Sequence, residues 1–377
     1  MKPRIQHDVN RVLVTGGAGY LGSTVVAQLL AVGLRVGVLD SLLFGEASLD
    51  GLRAHRNCEL VRGDVRDVGV VVRTMTGCDA VVHLAGIVGD HACDQNKELA
   101  QEVNRAATRM LADVAPRCGV RRFLLASSCS VYGSSDTRVD ESSPPRPLSL
   151  YAQTKIDSER ILLASRTRDF SPTILRLGTL FGLSARMRFD LVANLLVARA
   201  VFTGRITINN GWQWRPFVHV RDAARALLGC LLTRSDLVSG EVFNAGSNLL
   251  NLQIKDVGEA AARVVPGTEV TAVYKRGDRR SYRVSFDKIE RRLGFVCAEG
   301  LESGMREVAA ALRADKVTEL AASMPGRQVI GQPVSTSLIN DAGLNRRLAI
   351  VEEAKREPTL TPAGSERRQK VASAGRV

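Results

Sequence analysis

The chain has 377 residues, long enough for one large α/β domain plus a smaller lobe, and its 45% apolar and 24% charged residues are those of an ordinary soluble globular protein. Its apolar runs fall short of the roughly 18 residues of a bilayer span, and its seven scattered cysteines lack C-x-x-C spacing. The net charge of +13 comes with only 5% aromatics and arginines spread along the chain, so it suits a polyanionic small molecule better than nucleic acid.

Polar residues 1–10 do not read as a signal peptide, and the thiols read as reduced. The expected setting is therefore cytoplasmic, with no membrane or nucleic-acid partner and no metal. Apolar strand-like runs follow at 12–14, 35–39, 59–62, 80–84, 122–126 and 173–177. Helix-period segments separate them, the longest predicted over 95–118. This alternation predicts a Rossmann-type doubly wound parallel sheet, with ligands at the carboxyl ends of its strands. After 182 the pattern changes to a helix over 189–200, short strands at 206–208 and 216–220, and a helix from Arg221. The expected division is a dinucleotide-binding domain over 11–182 and a mainly substrate-binding α/β lobe over 183–321, some segments of which return to the sheet. A C-terminal extension over 322–377 is expected to be largely disordered, with one short helix over 345–355. Eight Lys/Arg against four Asp/Glu in 343–377 supply part of the net charge.

Thr15-Gly16-Gly17-Ala18-Gly19-Tyr20-Leu21-Gly22 lies between the first strand and the first helix. Gly17, Gly19 and Gly22 fit G-x-G-x-x-G: a tight turn, close backbone approach to a pyrophosphate, and close helix–strand packing. Gly16, Tyr20 and Leu21 complete this cofactor turn, and the helix start offers free N–H groups to phosphate. Asp40 ends the second strand about 20 residues later, where an acid accepts hydrogen bonds from ribose and repels a 2′-phosphate. The cofactor read from these residues is NAD.

Tyr151 and Lys155 stand at i and i+4 on one helix face after a Pro-rich loop. An ammonium beside a phenol stabilises the phenolate, which then takes a hydroxyl proton as hydride leaves the same carbon. Ser128, in the hydroxyl cluster 127–130 ending the fifth main strand, is placed to hold that hydroxyl; turn chemistry is the plainer reading of such serines.

With these motifs in place, residues 11–312 resemble an extended short-chain dehydrogenase/reductase of the nucleotide-sugar epimerase and dehydratase kind. Further matches are Gly63-Asp64-Val65, His83-Leu84-Ala85-Gly86, Asn104, Val131-Tyr132-Gly133 and Arg215-Pro216-Phe217-Val218-His219-Val220-Arg221-Asp222. The resemblance implies that Tyr151 is the acid/base, that Lys155 binds the nicotinamide ribose and tunes Tyr151, and that Ser128 orients the sugar. It implies Asp64 and Val65 at adenine, Leu84, Ala85, Gly86 and Asn104 along the cofactor, and Asn194 and Arg215 on a nucleotide diphosphate. A further cation is expected beside Gly277-Asp278. Lys275, Arg276, Arg279, Arg280 and Arg283 stand there, and Arg279 is the one assigned to substrate. The resemblance also implies a homodimer through two helices bearing Met110, Leu111, Val114, Ile161 and Leu162; core packing is the other reading of those side chains.

Departures from the family pattern narrow the reaction. Cys129 and Ser130 occupy the place of the dehydratases' acidic pair, and neither is an acid near neutrality. Gly86 replaces a usual alanine, and Gly178 an asparagine of several epimerases. Asp90 and His91 are possible extra acid/base groups, with a helix-start role the favoured reading of Asp90. The basic segment 186–190 is expected to touch either sugar or phosphate. The reading is an NAD-dependent nucleotide-sugar epimerase acting at C4 through a transient 4-keto sugar. The alternatives are a nucleotide-sugar 4-ketoreductase or dehydrogenase and, third, a non-catalytic dinucleotide-binding regulator.

Overall fold

A computed structural model describes residues 9–274 and 280–314. The expectations for 315–377, and for Lys275, Arg276 and Arg279, lie outside the described residues.

Seven strands form one parallel sheet: β1 (Arg11–Thr15), β2 (Arg35–Asp40), β3 (Cys58–Arg62), β4 (Ala80–His83), β5 (Arg122–Ser128), β6 (Ser171–Leu177) and β7 (Glu241–Ala245). Their spatial order is β3-β2-β1-β4-β5-β6-β7. The chain turns back between β1 and β4, the switch point at which such sheets bind ligands. Both faces are buried because successive side chains are apolar and point opposite ways. Val12, Val14, Val36, Val38 and Val82 enter one core, while Leu13, Leu39, Val81 and Phe123 enter the other.

Four helices position the site: α1 (Tyr20–Ala31), α2 (Ala107–Val114), α3 (Leu150–Ala164) and α4 (Leu301–Arg313). α1 packs in the first core and α2 and α3 in the second. The helix expected over 95–118 runs without interruption over 97–114, with a change of winding inside it. Asn96 caps a new start by accepting from Leu99 N at 2.9 Å, a π-helical turn spans Glu102–Ala106, and only then does α2 begin. Apolar periodicity does not register a side chain that competes for backbone hydrogen bonds.

The second lobe contains the strand Thr179–Phe181 beside Trp214–His219, which pairs in turn with Asn251–Gln253. Its helix begins at Val192, three residues later than expected, because Leu191 is extended at the cap. β7 returns to the main sheet, a strand the sequence pattern left among the lobe's short elements.

Candidate active site

The glycine turn joins β1 to α1. Gly16 has φ 73°, and a Cβ there would lie 2.7 Å from Ala85 N; a Cβ on Gly22 would collide with Gly16 O. Only glycine lets the turn close this tightly on itself and on the end of β4. Gly19 caps α1 with no side-chain bond, and α1 has no acid in its first turn, so its N–H groups face outward to an anion. Tyr20 and Leu21 are buried in that first turn. The cradle fits a dinucleotide pyrophosphate.

Asp40, at the end of β2, accepts from Ala18 N at 2.9 Å and Leu42 N at 2.8 Å. Those two bonds aim the carboxylate across the turn and leave lone pairs for ribose hydroxyls. Val65 is buried, and Asp64 beside it is held by Arg66 at 2.7 Å, which lowers its pKa. Leu84 N bonds Thr15 O at 3.0 Å and Ala85 N bonds Thr15 Oγ1 at 3.3 Å, so the end of β4 is fixed beside the turn. Asn104 clasps Ile87 with its side-chain amide, accepting from N at 2.8 Å and donating to O at 2.9 Å. A Cβ on Gly86 would lie 3.0 Å from Asn104 Oδ1 and 3.9 Å from Lys155 Nζ, so this glycine keeps the wall close to the lysine.

Ser149 caps α3 by accepting from Ala152 N at 3.2 Å, which sets Tyr151 and Lys155 in its first turns. Ser128 ends β5 opposite. Its hydroxyl is near enough to lower the pKa of the Tyr151 phenol, and it accepts from Ser130 N at 3.2 Å. Burial dominates and pushes Tyr151 up to about 12, with Arg188 the largest opposing charge. The cation that acts most on the phenol in this structure is therefore Arg188 of the basic segment, rather than the expected lysine. Lys155 lies 5.9 Å from the Tyr151 ring centroid and donates to Ala126 O at 2.9 Å.

Burial lowers the Lys155 pKa to about 8. A fall from the ordinary 10.5 corresponds to about 3 kcal/mol of cost to the charged lysine in the fold. The folded pKa lies below the unfolded one, so the unfolded chain binds more protons between those values, and stability rises as pH climbs from about 8 to 10.5. Lys155→Met therefore gains about 1–2 kcal/mol near neutrality, after loss of the Ala126 bond, while activity is abolished. Urea denaturation at pH 7 and at pH 10 checks this: the gain shrinks at the higher pH.

Cys129 is buried, its thiol donates to Arg176 O at 3.2 Å, and burial raises its pKa further. It is a neutral group in the apolar cluster behind Ser128. Ser130 Oγ is buried and has no hydrogen-bond partner among the described residues. Asp90 opens the helix Asp90–Gln95 and pairs with Arg280, while His91 is exposed. Arg215 is buried and donates to the backbone oxygens of Trp214 and Arg280. Of the cations named beside Gly277-Asp278, Arg280 stands against Arg215, whereas Arg283 reaches Asp136 O at 3.0 Å. Asn194 is only 2% exposed and fully engaged by the protein. It accepts from Gly182 N at 3.0 Å and donates to Arg188 O at 3.1 Å and Tyr20 Oη at 3.2 Å. In this conformation Asn194 shapes the loop that carries Arg188, a placement its sequence position does not foretell.

The sequence reading missed a buried network beneath the site. Glu159 binds Arg176 at 2.7 Å and accepts from Ser127 Oγ at 2.5 Å; Arg176 donates to Tyr132 Oη at 3.0 Å, and Tyr132 donates to Asn244 at 2.8 Å. The spacing 151, 155, 159 on one helix face was the available signal.

Among known proteins, a UDP-glucose 4-epimerase of Oryza sativa subsp. japonica is 41% identical over 160 residues, 40% of this chain and 43% of that one, so the match spans less than half of the rice enzyme. A dTDP-glucose 4,6-dehydratase of an Actinoplanes strain is 28% identical over 326 residues, 81% of this chain and 98% of that one. The structure of MoeE5 in complex with UDP-glucose and NAD is similar with a TM-score of 0.71 and 30% identity, covering 81% of this chain and all of that one. The family model that matches residues 12–246 describes the NAD dependent epimerase/dehydratase family, and with the Rossmann sheet and cofactor turn around it the chain belongs to that family, an enzyme whose cofactor is NAD.

Proposed function

We propose that the chain epimerises a nucleotide-diphosphate sugar at C4, with residues 11–182 holding NAD and 183–321 mainly holding the substrate. When bound, NAD accepts a hydride from the sugar carbon and returns it. Tyr151 takes the C4 hydroxyl proton, so the C–H electron pair can leave as hydride and the carbonyl can form. Ser128 holds that oxygen, and Lys155 supplies positive charge beneath the ring. Arg215 is the residue proposed for the diphosphate, and Arg279 remains proposed beside it. A fixed diphosphate lets the 4-keto sugar present its other face, and Tyr151 then returns the proton.

The observation that carries this reading is the neutral pair Cys129 and Ser130. Removing water across neighbouring carbons needs an acid and a base there, and a buried neutral thiol and a hydroxyl supply neither. Nucleotide sugars fit the basic groups around Arg215 and the UDP-glucose bound by MoeE5. Purified protein incubated with UDP-glucose or dTDP-glucose is expected to give the C4 epimer by proton NMR, without added NADH. Formation of a 4-keto-6-deoxy sugar would make it a dehydratase, and a strict need for stoichiometric NADH a ketoreductase.

The expected cytoplasmic setting is supported by seven free thiols. The expected homodimer has less support from its apolar residues: Leu111, Ile161 and Leu162 are buried in the monomer core, with Met110 and Val114 packed against it. The outward face of α2 and α3 instead shows Arg109, Asp157 and Arg160. A symmetric dimer through that face would set arginines against arginines, so sedimentation should show any such dimer strengthening as salt screens the repulsion.

A further inference from the structure

Two loops meet over the open end of the cofactor turn, one from each side of the site. The first follows β2. Asp40 and Leu42 begin it, Leu42 takes the left-handed conformation at φ 57°, and Ser48 ties its far end to the turn by donating to Ala18 O at 2.8 Å. A leucine held there is strained and needs its surroundings to keep it so. This loop carries Phe44.

The second loop follows the strand Thr179–Phe181 and lies directly on the first turn of α1. Ser184 Oγ bonds Tyr20 O at 2.6 Å and Ser23 Oγ at 3.1 Å, and the Tyr20 hydroxyl donates to Gly182 O at 2.6 Å. Leu183 N donates to Glu307 of α4 at 2.9 Å, and Asn194 holds Gly182 and Arg188. The base of the loop is thus built onto the helix whose N-terminus receives the pyrophosphate. Within it Arg188 pairs with Asp190 at 2.6 Å and its charge acts on Tyr151, while the guanidinium carbon of Arg186 lies 3.6 Å from the centroid of the Phe44 ring.

We infer that Arg186 and Phe44 form a latch over the adenosine half of bound NAD, joining the dinucleotide domain to the substrate lobe and slowing release of the cofactor. The inference rests on NAD occupying the glycine turn. Arg186 suits the role because a guanidinium stacks flat on an aromatic face and still offers N–H groups to a phosphate or ribose oxygen below. Asp40 and Asp190 both act on the Arg186 charge, which places it beside the ribose-binding acid. An enzyme that oxidises and then re-reduces one sugar needs its NAD to remain through both half-reactions, and a latch serves that need.

The test is the rate at which NAD leaves the holoenzyme, read by rapid dilution into excess unlabelled NAD after loading with radiolabelled NAD. Arg186→Ala and Phe44→Ala are each expected to speed release about tenfold. The double variant should release no faster than Arg186→Ala, because removing the ring costs nothing once the guanidinium that stacks on it is gone. Phe44→Leu, which keeps apolar bulk without a ring face, should release like Phe44→Ala and guards against a simple folding defect. Unchanged release in both single variants would overturn the latch, as would additive effects in the double variant. So would a change confined to the KM for nucleotide sugar, or to NADP binding with NAD release unaltered. Wild-type protein that binds no NAD would overturn the cofactor assignment as well, which separates failure of that reading from failure of the latch.

Discussion

Tyr151→Phe is expected to lower kcat by about 10²- to 10⁴-fold while NAD binding persists, because the ring stays and only the proton-transferring hydroxyl is lost. Without cofactor the phenol is pushed up to about 12 by burial, so it is protonated at neutral pH. Positive charge lowers it toward the working range. Arg188 is the largest such influence in this structure, and the cationic nicotinamide adds to it on binding. Removing a cation disfavours the phenolate and raises the pKa. Arg188→Gln should therefore move the rise of kcat with pH to higher pH, and Tyr151→Phe should remove that rise. A pH–rate profile of the three proteins measures both effects. An unmoved limb in Arg188→Gln together with near-normal kcat in Tyr151→Phe would assign proton transfer to another residue.

The second large effect is on stability. Glu159 is 3% exposed and gives both carboxylate oxygens to Arg176, at 3.0 Å and 3.2 Å to Nε and 2.7 Å to Nη2. Glu159→Ala leaves a buried guanidinium whose remaining hydrogen bonds cannot neutralise it, and breaking such a pair costs about 3–5 kcal/mol. Urea denaturation monitored by circular dichroism should show a large fall in the midpoint. Glu159→Ala combined with Arg176→Met should recover much of the loss, since the double change removes the stranded charge. The single variant should also lower kcat, because Ser127, held by Glu159, adjoins Ser128 at the end of β5. A loss below about 1 kcal/mol would mean that water reaches Arg176 and replaces the carboxylate.

The sheet was legible because its signals are local. Alternating apolar runs and helix-period segments placed six of the seven main strands, and Gly16 to Gly22 with Asp40 named the cofactor from spacing alone. β7 escaped because Glu241–Ala245 is short, and its place at the sheet edge depends on pairing with a strand about 70 residues earlier. The helix start at 97 escaped because Asn96 caps it through a side-chain hydrogen bond that hydrophobic periodicity does not record.

The site divides along the same line. Tyr151 and Lys155 share a helix face by their spacing, and Ser128 ends a strand by its turn chemistry, so the sequence by itself determined the residues proposed for catalysis, the cofactor class and the main sheet. Only the tertiary structure decided which charges surround them. It set the Arg188 charge where it acts on the phenol, stacked Arg186 on Phe44, turned Asn194 inward onto its own loop, and closed Glu159 on Arg176. Each of these joins segments far apart in the chain or depends on the direction of a long side chain. Hydrogen bonding and desolvation act through space once the chain is packed, and a one-dimensional pattern carries no record of that.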